Sequence, residues 1–279
     1  MGKAVKYEKR LTLFIDFLGF SDRVESTVTD NVALNDLVDA LSDAAKTANI
    51  GKAADFQATQ FSDCLVISYK FESPDALFEI VNKLSLIVVS IAERGYLIRG
   101  GLTYGYLLHT DKIVVGPAMN RAYFLESKVA KVPCVILDPD IFNAALKKPS
   151  ADVLQTIKKF LRLDKKKDLW FFDYFSWRTV VATVGADSNA YPDYLKTLSG
   201  LIKVGLKNTD PGVLEKYVWM QRRYKAARKG FVGTPHNHPH RKRFPGYLES
   251  IEKLPGLDKA AAEAAKIIDE AAKKKRKKG

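Results

Sequence analysis

Leu11-Thr12-Leu13-Phe14-Ile15-Asp16-Phe17-Leu18-Gly19-Phe20-Ser21 opens as an apolar strand and closes on a carboxylate, a glycine and a hydroxyl. Alternation is weak from Leu11 to Asp16, the pattern of a central strand buried on both faces. Such a strand needs partners, and the segments that follow supply them. Val32 to Ala48 places Leu34, Leu37, Val38, Leu41, Ala44 and Ala45 at helical spacing. Phe56 to Gln60 and Cys64 to Phe71 are strand-like and separated only by Phe61-Ser62-Asp63, which predicts a hairpin with Asp63 at or beside its turn. Ser73-Pro74-Asp75 reads as a helix start, with the helix running to about Arg94 and stopping at Gly95. Tyr96 to Tyr106 and Lys112 to Val115 predict a second hairpin turning at Thr110-Asp111. Gly116-Pro117 leads into a helix through Ser127, and Val132 to Leu137 is one more strand.

The order β-α-β-β-α-β-β-α-β predicts an α+β fold of the split β-α-β, ferredoxin-like kind: a mostly antiparallel sheet with helices on one face. After Asp138 the pattern changes. Ile141 to Leu161 reads as helical, Leu169 to Val181 as an aromatic strand, and Asp193 to Arg228 as two helices parted near Asp210-Pro211-Gly212. The expected division is a catalytic domain over 1–140, a mainly helical extension over 141–256 packed on it, and a basic, mobile tail over 257–279.

Composition narrows the class. The chain has 279 residues, 47% apolar and 28% charged, which excludes a largely disordered protein. No apolar run reaches the roughly 18 residues of a membrane-spanning helix, and Met1 to Lys6 runs straight into charge without a secretory apolar region. Cys64 and Cys134 have neither disulfide-framework nor zinc spacing and read as reduced thiols in apolar strands. A cytoplasmic protein is expected. Forty-five Lys and Arg against thirty-two Asp and Glu leave +13, which suggests a polyanionic partner. Part of the excess lies in the terminal Lys273–Lys278 run. Another part lies in His236-Asn237-His238-Pro239-His240-Arg241-Lys242-Arg243, which reads as a mobile basic loop rather than a metal site.

Two carboxylates stand out by position. Asp16 ends the first strand and precedes Phe17, Leu18, Gly19, Phe20 and Ser21, a turn whose backbone amides suit phosphate oxygens. Asp63 lies on the hairpin of neighbouring strands, so both carboxylates are expected at one end of the sheet. A pair there can hold two divalent ions about 3.5–4 Å apart, one of which would activate an attacking hydroxyl and the other grip a triphosphate.

These segments resemble the class III nucleotidyl cyclases. Phe14-Ile15-Asp16-Phe17-Leu18-Gly19-Phe20-Ser21 is similar to the family's first metal motif, and Phe61-Ser62-Asp63 to its second, with Ser62 where glycine is usual. Arg99-Gly100-Gly101-Leu102-Thr103-Tyr104-Gly105 resembles its arginine-glycine strand. Gly116-Pro117-Ala118-Met119-Asn120-Arg121-Ala122-Tyr123-Phe124-Leu125-Glu126-Ser127 follows its glycine-to-asparagine-to-Leu-Glu-Ser segment without a gap. Four motifs in order cover residues 11 to about 140. The resemblance implies two Mn²⁺ or Mg²⁺ ions on Asp16, Asp63 and the backbone carbonyl of Phe17. It also implies a head-to-tail homodimer in which Asn120 reaches the nucleotide of the other subunit, and in-line attack of the sugar 3′-hydroxyl on the α-phosphorus.

The departures matter as much. The family's transition-state arginine falls where this chain has Phe124; Arg121 is the nearest replacement, about 100° away around a helix. The two base-choosing positions align with Thr59 and Ile113, and isoleucine does not suit a purine edge read by hydrogen bonds. Gln57, which shares Thr59's parity, is the expected amide beside them; Gln60 has the opposite parity. This combination resembles the stand-alone pyrimidine cyclases of bacterial antiphage (Pycsar) defence. That implies UTP or CTP as substrate, a cyclic UMP or cyclic CMP messenger, and a separate effector that the messenger activates. Two rival classes are a catalytically silent cyclase-fold module, favoured by the missing arginine, and a polymerase-like palm. The second is disfavoured because no aromatic residues interleave with the terminal basic run, so neither nucleic acid nor membrane is an expected partner.

Overall fold

A computed structural model of the chain describes residues 5–51, 55–72, 75–141, 155, 157–184 and 190–277. The first part runs β1 (Glu8–Phe17), α1 (Phe20–Thr27), α2 (Asn31–Asn49), β2 (Phe56–Phe61), β3 (Cys64–Lys70), α3 (Ala76–Glu93), β4 (Ile98–His109), β5 (Val114–Val115), α4 (Pro117–Phe124) and β6 (Val135–Leu137). A π-helical turn, Leu125–Val129, continues α4. β7 (Leu161–Asp164), β8 (Leu169–Phe172) and α5 (Trp177–Val184) follow. The sheet order is β2-β3-β1-β4-β6-β8-β7, with β5 paired to β4 off this path. β1 is antiparallel to both β3 and β4, and only the β4–β6 pairing among these is parallel. The expected α+β architecture is the one observed.

Register assigns the two faces. Thr12, Phe14 and Asp16 lie opposite Ser68, Val66 and Cys64 on β3, and opposite Thr103, Gly101 and Arg99 on β4. Leu11, Leu13, Ile15 and Phe17 point the other way and are buried. α2 and α3 cover that apolar face: Ile80, Leu84 and Ile87 of α3 are buried, and Lys83 sits over the ring of Phe56, itself packed on Tyr69. α4 lies against the opposite face, where Phe14, Val66 and Ala122 form one cluster. Gly101 makes this approach possible, because a Cβ there would stand 2.5 Å from the Ala122 carbonyl oxygen and from Leu125 Cβ. Helices therefore lie on both faces, with α4 added to the layer expected on one.

Two local expectations differ from the structure. The sheet continues past residue 140, because β8 pairs with β6 and β7 with β8. The hairpin tip Lys165-Lys166-Lys167-Asp168 carries no glycine or proline to mark it. Asp164 closes it instead, accepting from the Lys166 amide at 3.0 Å, and Asp168 turns with φ of +51°. The aromatic strand ends at Phe172, and Trp177–Val184 is helical, opened by Ser176, whose hydroxyl accepts from the Arg178 amide. Ser73, Pro74 and most of the helix expected over Ile141 to Leu161 lie outside the described residues.

Contacts divide the chain into compact units, Met1–Thr183 and Val184–Gly279. The second unit contains α6 (Ala190–Gly205), α7 (Pro211–Lys229), α8 (Pro239–Arg243), α9 (Tyr247–Glu252) and α10 (Asp258–Arg276). Asp210 caps α7 by accepting from the Val213 amide at 2.8 Å, with Pro211 in the first turn. The terminal residues through Arg276 form a helix, as the alanine-rich Ala260 to Ala272 stretch suits. Ala261 and Ala264 are buried, Lys225 pairs with Asp258 at 2.6 Å, and Tyr224 donates to the Pro255 carbonyl. The basic histidine-rich segment is likewise held, since Arg241 pairs with Glu249 and Glu252 and donates to the Thr234 carbonyl. No helix among the described residues is long and apolar enough to cross a membrane.

Candidate active site

Asp16 is the last inward residue of β1 on the polar sheet face, and its cross-strand partner is Cys64. The β2–β3 turn is as short as a hairpin allows: Phe61 pairs with Cys64, leaving Ser62 and Asp63 as the two turn residues. Ser62 adopts φ of +52°, the left-handed conformation that glycine enters most readily. The turn returns Asp63 to Asp16. Donor atoms of Asp16, Asp63 and Cys64 lie within 4.8 Å of one another, and Cys64 Sγ is 3.8 Å from an Oδ1 of each aspartate. Arg99, opposite Asp16 on β4, places Nε 3.5 Å from Asp16 Oδ2 and pairs with buried Glu126. The sequence contained Arg99 and Glu126 inside its motifs but gave them no role; their meeting depends on α4 lying across the sheet.

Charge is crowded here. Burial, then repulsion from Glu126 and Asp63, pushes the Asp16 carboxyl up to about 7 in the metal-free protein, although Arg99 opposes them. Burial raises Glu126 as well, against the pull of Arg99. The Cys64 thiol is pushed up to about 12 by burial and the two aspartates, so it stays protonated. The donors on offer are hard carboxylate oxygens with surplus negative charge, which fits Mg²⁺ or Mn²⁺ better than a thiolate-seeking metal.

The other residues singled out by sequence are placed as follows. Phe17 ends β1, with its ring against Phe20 and Tyr96, and its amide donates to the Asp63 carbonyl at 3.3 Å. Leu18 donates to the Leu97 carbonyl at 2.8 Å. Those two amides serve the fold, so of the turn expected to face phosphate only the start of α1, where Gly19 (φ +71°) leads into Phe20 and Ser21, keeps amides outside the strand pairing. Asn120 and Arg121 are on α4, and Asn120 is exposed. Arg121 is engaged: its Nε lies 2.7 Å from Asp138 Oδ2, and its guanidinium sits 5.5 Å from the centre of the Phe124 ring. Asp138, buried but held low by hydrogen bonds from Arg121 and Thr103, lies beside Thr103, which pairs with Thr12. Four residues along β1 from Asp16 is about 13 Å, so Arg121 and Asp16 of one chain are not brought together.

Thr59 and Gln57 face the same side as Val66 and Ser68, while Gln60 faces the other way and donates to the Ser62 carbonyl. Thr59 and Ile113 are neighbours through Thr110. Thr59 Oγ1 lies 3.4 Å from the Thr110 carbonyl, and the Thr110 amide donates to the Ile113 carbonyl at 2.9 Å. Ile113 is 53% exposed. The sequence passed over His109, Ser68 and Arg10, which continue from Thr59 into the interior.

No protein-family profile matches the chain, and no curated protein matches it. Among solved structures it is similar to a bacterial light-regulated adenylyl cyclase, with a TM-score of 0.41 and 12% identity over 66% of this chain. The match spans 59% of that protein's length. It is also similar to an adenylate/guanylate cyclase/hydrolase from Silicibacter pomeroyi, with a TM-score of 0.37 and 15% identity, covering 60% of this chain and 97% of the other.

Proposed function

We propose that the chain is a metal-dependent nucleotide cyclase of the class III type, converting UTP or CTP to the 3′,5′-cyclic monophosphate and pyrophosphate. The observation that carries this reading is the convergence of Asp16 and Asp63, from different strands, on one charge-crowded point at the end of β1. Asp16 and Asp63 would hold divalent ions there, with the Phe17 carbonyl as a further ligand, and the ions would supply acidification of the sugar 3′-hydroxyl and neutralisation of the triphosphate. Arg99 balances Glu126 and keeps the floor of the site from carrying every carboxylate unpaired. The start of α1 faces the phosphates, and Thr59 and Ile113 meet the base, with Gln57 on the same strand face.

Asn120 is supplied by the second subunit of a head-to-tail homodimer, and Arg121 by the same helix once the nucleotide competes with Asp138. The product acts as a cytoplasmic messenger that switches on a separate effector in antiphage immunity. The pairing of Arg121 with Asp138 favours a second reading, a silent module that binds nucleotide without turnover. Incubation with Mn²⁺ and each of the four nucleoside triphosphates, with products identified by mass, separates the two. Cyclic UMP or cyclic CMP supports the cyclase; bound but unconverted nucleotide supports the silent module.

A further inference from the structure

His109 ends β4 and is 7% exposed, with its imidazole held between two hydroxyls. Nδ1 lies 2.8 Å from Ser68 Oγ, and Nε2 lies 3.0 Å from Thr59 Oγ1. Behind Ser68 stands Arg10, whose Nε donates to Ser68 Oγ at 2.8 Å. Arg10 is fixed in turn by Glu8 at 2.9 Å, the Asp55 carbonyl at 2.8 Å and the Ser68 carbonyl at 3.3 Å. A single polar chain thus runs from a buried guanidinium through Ser68 and His109 to Thr59, the one half-exposed hydroxyl in it.

Counting protons gives this chain a direction. Arg10 is a donor without an acceptor atom, so Ser68 Oγ accepts from it. Ser68 is fully buried, and its own hydroxyl proton needs an acceptor; among the described residues the contacts offer His109 Nδ1. The imidazole then carries its proton on Nε2 and donates to Thr59 Oγ1. Burial first, and the Arg10 guanidinium second, hold His109 down at about 4 against the pull of Asp111, so the ring is neutral and has one proton to place. Thr59 already accepts from His109, so its hydroxyl is left as a donor, and in the ligand-free protein it donates to the Thr110 carbonyl. Its remaining contact, 3.4 Å from the Thr110 carbonyl, is long enough to give up to a ligand.

We propose that His109 is a positioning residue that presents the Thr59 hydroxyl as a hydrogen-bond donor to the nucleotide base, selecting uracil over cytosine. The selection rests on the cyclase reading above, in which Thr59 meets the base. At the 4-position uracil carries a carbonyl acceptor, whereas cytosine carries an amino donor. A fixed donor pairs with the first and opposes the second: facing cytosine, the Thr59 hydroxyl stays on the Thr110 carbonyl and the amino group gains no acceptor from it. Ile113, with no polar atom in its side chain, offers cytosine no compensating acceptor from its position beside Thr110.

The test uses the full chain with Mn²⁺ and compares kcat/KM for UTP and CTP. The wild-type protein should favour UTP about tenfold, the worth of one paired against one opposed hydrogen bond. His109→Leu should bring the ratio near unity, mainly by raising KM for UTP, while His109→Gln, whose amide can donate to Thr59, should keep most of it. Thr59→Val should lose the ratio as well, and adding it to His109→Leu should cost nothing further, because His109 acts through Thr59. A packing role for His109 predicts none of that pattern. A wild-type preference for CTP, or a ratio unchanged in His109→Leu, overturns the proposal. Nitrogen-15 spectra of the wild-type protein, with His109 assigned by its loss in His109→Gln, give a readout free of turnover and of variant folding. A proton on Nε2 is expected; a proton on Nδ1 overturns the proposal. If no triphosphate is cyclised, the cyclase reading fails by itself. Calorimetric titration with UTP and CTP then decides this inference, and equal affinity or no binding overturns it.

Discussion

Asp16 and His109 are pushed towards their neutral forms from opposite sides, Asp16 up to about 7 and His109 down to about 4, and in both burial is the leading cause. For Asp16 the consequence is a site that gains by accepting cation charge. Mn²⁺ should raise the thermal midpoint of the wild-type protein, and Asp63→Ala should lose both that rise and all turnover while remaining folded. An Asp63→Ala protein that still cyclises nucleotide at the normal rate would falsify the two-metal reading. For His109 the consequence is a pH dependence. The unfolded chain takes a proton on this ring below about 6.5 that the folded chain refuses until about 4, so its contribution is full above pH 6.5 and is lost as pH falls through that window. At pH 5 the loss is about 2 kcal/mol, from roughly 1.4 kcal/mol per pKa unit. Urea unfolding at pH 7.5 and pH 5 should show this pH-linked loss in the wild type and its absence in His109→Gln; parallel losses would rule it out. Asp16 and Asp63 were legible in the sequence because one stands at a strand end and the other in the turn of a short hairpin, positions that local pattern reveals. His109, Ser68 and Arg10 were not, because each belongs to a different strand and only pairing register joins them.

The short hairpin was readable as an element because Phe61-Ser62-Asp63 left room for nothing longer. The β7–β8 hairpin was hidden because its tip is built from lysines, which favour helices, and is closed by the Asp164 side chain rather than by a turn glycine. The Trp177–Val184 helix was hidden for the converse reason: Trp177 and the β-branched Thr179, Val180, Val181, Thr183 and Val184 suit strands by propensity, yet the segment is helical. The motif glycine Gly101 owes its place to α4. An alanine there must displace the Ala122 carbonyl and Leu125, the turn before Glu126, and therefore the helix that carries Asn120 and Arg121. Gly101→Ala should cost about 1–3 kcal/mol of stability, the range for overpacking a close contact. It should also lower kcat more than the same loss of stability does at a site remote from α4. A variant with normal kcat and normal stability would mean that α4 tolerates displacement and that its approach to the sheet does not set the site.

At the scale of the molecule the two units differ in charge. From Val184 onward there are twenty-one Lys and Arg against ten Asp and Glu, so most of the +13 belongs to the helical unit and little to the sheet that holds the carboxylates. The sheet unit instead exposes large apolar side chains on the elements around its site: Phe61 (80% exposed) at the hairpin tip, Tyr106, Ile113 and Val115 on the β4–β5 arm, and Tyr123 and Phe124 on α4. Apolar groups clustered on functional elements suit a second copy of the chain. In the proposed head-to-tail dimer each site takes its carboxylates from one subunit and Asn120 from the other. Asp16→Ala and Asn120→Ala proteins should each be inactive alone, because every site in either homodimer lacks one half. Mixed and allowed to exchange, half of the dimers become heterodimers, and each of these contains one site built from both intact halves and one site lacking both. Activity should therefore recover to about a quarter of the wild-type value per chain, the statistical ceiling for an isologous pair. Recovery near that level assigns Asn120 to the neighbouring subunit's nucleotide. If subunit exchange is verified by mass and no activity returns, each chain carries its own complete site and Asn120 has no part in its neighbour's.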